Sequence, residues 1–142
     1  SSTMVFNLDF LGFGSKRKWA FNVLDREWAA LDVDTRPIDG GVRQLLFQWA
    51  QEFGESKGKI DPHLMDLAAF SGFLMLGPEL AARPLGPEGL FNMEKRFNDA
   101  VASYASDSET DDPLDIRVIK LILAANLADR DIEAMVTLDR DT

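Results

Sequence analysis

The sequence predicts an all-α fold: a compact bundle of five or six helices around a buried central helix at about 62–76, to which one short N-terminal strand can be added. Three observations lead there. Residues 67–78 carry no charge, and Leu64, Met65, Leu67, Phe70, Phe73 and Leu74 fall on every face of a helix, which marks a helix surrounded by protein. Most of the remaining chain repeats its apolar residues at helical spacing between glycine and proline breaks. Asp61-Pro62 and Asp112-Pro113 are both strong helix starts, since the carboxylate can cap free amide groups and proline in the first turn has no amide to waste. A chain of 142 residues is expected to form a single helical domain, 1–142, with an extended segment at 1–14. It carries no repeated unit and no dividing linker.

In order along the chain, residues 4–10 (MVFNLDF) alternate, with Met4, Phe6, Leu8 and Phe10 on one side, the period of a strand. A lone strand needs a partner, either residues 134–138 or a neighbouring subunit. The glycine turn at 12–16 lacks the spacing of a phosphate loop and reads as a plain turn. Ser15 can cap a helix running to 31, with Ala20, Leu24, Trp28 and Leu31 on its apolar face. The loop 32–41 (DVDTRPIDGG) has several carboxylates, but Arg36 and Pro37 stand where a calcium loop needs a ligand and a glycine. A second helix spans 41–53, with Val42, Leu45, Leu46, Trp49 and Phe53 on one side, followed by a polar link at 54–59.

The central helix, about 15 residues, is roughly 22 Å long, short for a membrane span. After it, Pro78, Pro84 and Pro87 leave room for a single turn at 79–82. A helix at 88–104 carries the stripe Leu90, Met93, Phe97, Ala100, Val101 and Tyr104. Residues 105–112 are the most hydrophilic stretch. The next helix runs from Asp112-Pro113 to 128, and a short one occupies 131–138.

Composition narrows the chemistry. Apolar residues make up 46% and charged residues 27%, ordinary for a globular protein. There is no cysteine, which removes disulfides, thiolate catalysis and cysteine zinc sites and suits a cytoplasmic protein. The cluster Lys16-Arg17-Lys18 follows the apolar N-terminal stretch instead of preceding it, the wrong order for a secretory signal. That cluster and its aromatics could lie on an anionic membrane, although three charges anchor weakly and Phe6, Phe10 and Phe13 suit the core or a dimer contact better. Residues 1–60 hold eight basic and eight acidic side chains, whereas 61–142 hold seven and sixteen, so the second half carries the whole net charge of −9. Net acidity makes nucleic acid an unfavourable partner. A helix-turn-helix at 116–138 would present Asp131, Glu133 and Asp139 to DNA, the wrong sign.

His63 is the single histidine, at the start of the central helix, with no second nitrogen ligand in reach of a metal motif. No nucleophile or acid–base pair stands out. The favoured function is therefore a non-catalytic interaction protein of accessory, adaptor, immunity or regulatory type. It would bind a basic protein partner through Asp107, Glu109, Asp111, Asp112 and Asp115 in the acidic half. The alternative is an apolar pocket for a hydrophobic ligand or cofactor, an enzyme included, lined by His63, Trp28, Trp49, Phe70 and Phe73. No cofactor or metal is assigned. The strand-like N-terminus and the apolar helix near 116–127 point to a homodimer.

Overall fold

The computed structural model describes the backbone of residues 13–57, 60–105 and 112–141, and the side chains of 15–54, 60–104 and 112–138. These residues form an all-α bundle: α1 (Phe13–Ala30), α2 (Gly40–Lys57), α3 (Asp61–Ala105), α4 (Leu114–Ala124) and α5 (Arg130–Asp141), with no strand among the described residues. α3 packs against each of the other four helices, as a central helix must. The alternating stretch 4–10 lies outside the described residues. Phe13 and Gly14 are already helical, so the extended segment drawn at 1–14 is at least two residues too long and Ser15 is not a cap.

The central element is longer than the expected 62–76. Gly77 (φ 83°, ψ 164°) and Gly86 (φ 76°, ψ 169°) break α3 into runs at 61–76, 78–85 and 87–105. Both glycines hold a conformation that only glycine adopts readily. Each is followed by a proline that starts the next run without needing an amide, and Leu-Gly-Pro-Glu occurs at both kinks. The arm expected to hold one turn at 79–82 is thus helical throughout. By length and composition α3 could cross a membrane, yet 61% of its most apolar window is buried inside the fold, and the run 61–76 measures only about 24 Å.

The two kinks differ in what surrounds them. Pro78 has no N–H with which to close the end of the 61–76 helix, and the Leu74 carbonyl instead accepts the Asp129 amide at 2.9 Å. Asp129 is also the cap of α5: its carboxylate accepts the Asp131 amide at 2.9 Å and its carbonyl accepts the Glu133 amide at 2.9 Å. The Asp129 side chain lies directly over Gly77, where an added Cβ would overlap its carboxylate. At Gly86 an added Cβ would meet nothing within 4 Å.

Around the 61–76 run, Leu64, Leu67, Phe70, Phe73 and Leu74 are buried. Gly72 admits α1, since a Cβ there would come within 2.8 Å of Leu31 Cδ1. The adjoining Ser71 is the single polar side chain buried with the core among the described residues. It accepts the Trp28 indole N–H at 3.0 Å and donates to the Leu67 carbonyl at 2.6 Å. Phe73 meets Phe97 edge-on at 6.3 Å between ring centroids, which seats the 87–105 run on the 61–76 run.

Helix ends account for the remaining shifts of boundary. α1 stops at a left-handed Asp32 and α4 at a left-handed Asn126. In both, paired bonds close the end: Val33 N to Trp28 O with Asp32 N to Ala29 O, and Leu127 N to Ile122 O with Asn126 N to Leu123 O, each at 3.0 Å. α4 therefore ends at 124 and not 128. α2 begins one residue after Asp39, whose carboxylate accepts the Val42 amide at 3.0 Å, and it continues to Lys57 through the stretch read as a polar link.

Two stability measurements follow from this packing. Gly86→Ala is expected to cost about 1–3 kcal/mol from backbone strain alone. Gly77→Ala should cost clearly more, because Asp129 must also be displaced; equal urea midpoints for the two variants would contradict the joint. Ser71→Ala leaves the buried Trp28 N–H without its acceptor and is expected to lower unfolding free energy by about 1–3 kcal/mol, read from the same urea titration.

Candidate interaction site

The 87–105 run and the start of α4 diverge into an open cleft of about 560 Å³. Lys95, Asp99 and Ser103 line one wall, Leu114 and Asp115 the other, with Ala100 and Ile116 between them. A second depression of about 490 Å³ lies along the 87–105 run between Phe91, Glu94 and Asn98, and shares Lys95 and Asp99 with the first. Lys95 and Asp99 pair at 3.1 Å one helical turn apart, so their bridge belongs to the rim of both. Phe91 is 66% exposed.

Arg96 holds this region together. Its guanidinium donates to both oxygens of Asp66 at 2.9 and 2.8 Å and to both oxygens of Asp115 at 2.9 and 2.8 Å. Its charged centre lies 4.3 Å from the centroid of the Phe70 ring. Three helical runs thereby meet on one cation: 61–76 through Asp66 and Phe70, 87–105 through Arg96, and α4 through Asp115. Burial would lower the pKa of this arginine, but the hydrogen bonds to Asp115 and Asp66 outweigh it and hold the group firmly protonated. Of the six charged groups gathered here, Lys95 and Arg96 are cationic and Asp66, Glu94, Asp99 and Asp115 are anionic.

Of the five acidic residues expected to meet a partner, Asp112 and Asp115 fall among the described residues. Asp107, Glu109 and Asp111 lie outside the described residues. Asp112 accepts Lys120 Nζ at 2.6 Å, and Asp115 is spent on Arg96. The Asp-Pro pairs mark helix starts correctly, but neither carboxylate caps in the expected way: α3 opens on the Leu64 amide bonding the Ile60 carbonyl, and α4 has no side-chain cap.

The aromatic set is dispersed. Trp28, Phe70 and Phe73 are fully packed in the core. The Trp28 ring is covered by the Arg43 guanidinium at 5.6 Å, which in turn is held by Asp25 at 2.8 and 3.0 Å. Trp49 and His63 are partly buried, on α2 and in the first turn of α3. None of the five lines either depression. In the 32–41 loop, Asp34 is drawn to Arg36 at 2.9 Å, whose hydrogen bonds lower its pKa to about 2. Among the described residues no group of three or more His, Cys, Asp or Glu side chains is placed to hold a metal.

The sequence did hold one signal for Phe91. It sits off the stripe Leu90, Met93, Phe97, so a large aromatic had to face away from the core.

Arg96→Lys keeps the charge but loses the fork that serves two carboxylates at once. It is expected to cost about 1–3 kcal/mol of stability, measured by denaturant titration; an unchanged midpoint would show that the cluster contributes nothing.

In comparisons with protein-family models, with curated proteins and with solved structures, nothing matches this chain.

Proposed function

We propose that the chain is a non-catalytic interaction protein that binds a protein partner through the surface formed by the 87–105 run and the start of α4. The observation that carries this reading is the exposed Phe91 in a mostly apolar depression that adjoins the cleft. A large aromatic next to a depression is the usual anchor of a protein–protein contact, and a carboxylate-rich rim supplies orientation and association rate. The excess of sixteen acidic over seven basic side chains in 61–142 suits a partner with basic residues around an apolar side chain. Asp115 then acts indirectly, by holding Arg96 at the cleft, while Asp99 and Glu94 line the depression beside Phe91.

The test is affinity purification of the tagged full chain from its own source, comparing the wild type with Phe91→Asp. A co-purifying chain recovered with the wild type is expected to be lost with the variant, and its affinity for the isolated chain to fall about tenfold or more. Binding should weaken again when salt is raised to roughly 0.5 M, where the Debye length is only a few ångströms. Equal recovery with wild type and variant would remove this face from the contact.

A further inference from the structure

A second surface stands apart from that cleft. In α1 the exposed side chains are Ser15, Lys16, Arg17, Lys18, Trp19, Asn22, Arg26, Ala29 and Ala30. Four are cationic and none is acidic. The two carboxylates of the helix, Asp25 and Glu27, are half-buried, and Asp25 is paired with Arg43. At 3.6 residues per turn Lys18, Trp19, Asn22 and Arg26 fall on the side away from Leu24 and Trp28, with Lys16 at its edge and Arg17 on the opposite side. In a chain of net charge −9, the outer side of α1 thus carries three cations.

Lys16, Arg17, Lys18 and Arg26 make no ion pair among the described residues, a state shared elsewhere by Arg83 and Arg130, whereas Arg36, Arg43, Lys95, Arg96, Arg117 and Lys120 are paired. The first turn of α1 holds no acidic residue, and cations near a helix N-terminus oppose the helix dipole. Their cost to α1 needs a gain elsewhere.

The neighbours of the cations indicate the gain. Trp19, a residue that favours the boundary between water and hydrocarbon, is 38% exposed among them. The Arg17 guanidinium lies 6.0 Å from the centroid of the Phe21 ring, an aromatic platform beside the charge. Cations beside an exposed tryptophan match a bilayer interface, where anionic headgroups and the hydrocarbon edge are met together. A duplex phosphate backbone offers the charge without the apolar layer, and the acidic half of the chain would weaken its approach. We propose that the outer face of α1 docks the protein on an anionic phospholipid surface.

The full chain is tested by sedimentation with vesicles of phosphatidylcholine containing roughly a third phosphatidylserine, against vesicles of phosphatidylcholine alone. Pelleting is expected with the anionic vesicles only and should fall as salt rises. Each Lys or Arg near such a surface is worth roughly a fivefold change in partitioning, so K16E/K18E/R26E should lose about two orders of magnitude or more. All three side chains are exposed, and circular dichroism checks that the variant keeps its helices. W19A should weaken vesicle binding at unchanged charge. Absence of binding to anionic vesicles, or binding undiminished by the triple variant, would overturn the proposal. So would a preference for a double-stranded oligonucleotide with vesicle binding indifferent to W19A, which would reassign the face to nucleic acid. If the triple variant fails to fold, the two vesicle compositions and the salt titration of the wild type decide the matter: equal pelleting with both, or none, would refute it.

Discussion

The fold depends on how the helix at 61–76 is allowed to end. Gly77 turns the chain where no other residue would, and Pro78 starts the next run at once. That sequence leaves a carbonyl of the buried helix without a local donor. The amide of Asp129 answers it, and the same residue caps α5 and covers the glycine. One joint therefore stops the core helix, aims the arm at 78–85 and fixes the start of the last helix. Gly86 repeats the chemistry in open space and does none of the second and third tasks.

Charge inside the bundle is organised by arginines. Arg43 ties α2 to α1 while lying over Trp28, and Arg96 ties two runs of α3 to α4 while lying over Phe70. Each combines a planar fork for carboxylates with an aromatic face beneath, a pairing that lysine does not reproduce. Carboxylates recruited to these cations keep some exposure but have their charge offset. The −9 of the chain is consequently spread less freely than its sequence implies, and the cations on the outer side of α1 stand out more strongly because Asp25 is paired with Arg43.

Local periodicity made the helices legible. Ala20, Leu24 and Trp28, or Phe97, Ala100 and Val101, recur at the spacing of a buried stripe, and the unbroken apolar run 67–76 could only be enclosed. The Gly-Pro kinks were visible as breaks. Their outcome was not, because the arm between them is stabilised by what it packs against, and the partner of Gly77 lies far along the chain at Asp129. Capping was misjudged at Asp61 and Asp112 for the same reason: a carboxylate next to a helix start can serve an amide or a distant cation, and Asp112 serves Lys120. The candidate site was legible only in part. Acidity in the second half is a fact of composition. Which carboxylates face solvent depends on contacts between residues far apart, such as Arg96 with Asp66 and Asp115. Phe91 could be found from its position off the stripe, and Lys18 and Arg26 from their position opposite Leu24 and Trp28.

The central position of α3 has a consequence for how the protein is made. Its partners arrive from both directions: α1 and α2 are synthesised before it, α4 and α5 after it. While the ribosome is still adding residues 114–141, the faces of α3 that these last helices cover are bare, and the Leu74 carbonyl has only water to bond. A nascent chain in that state exposes the apolar surface on which chaperones and other unfinished chains settle. Helices α4 and α5 act on the half-built bundle as a closing clasp, and loss of either would expose core.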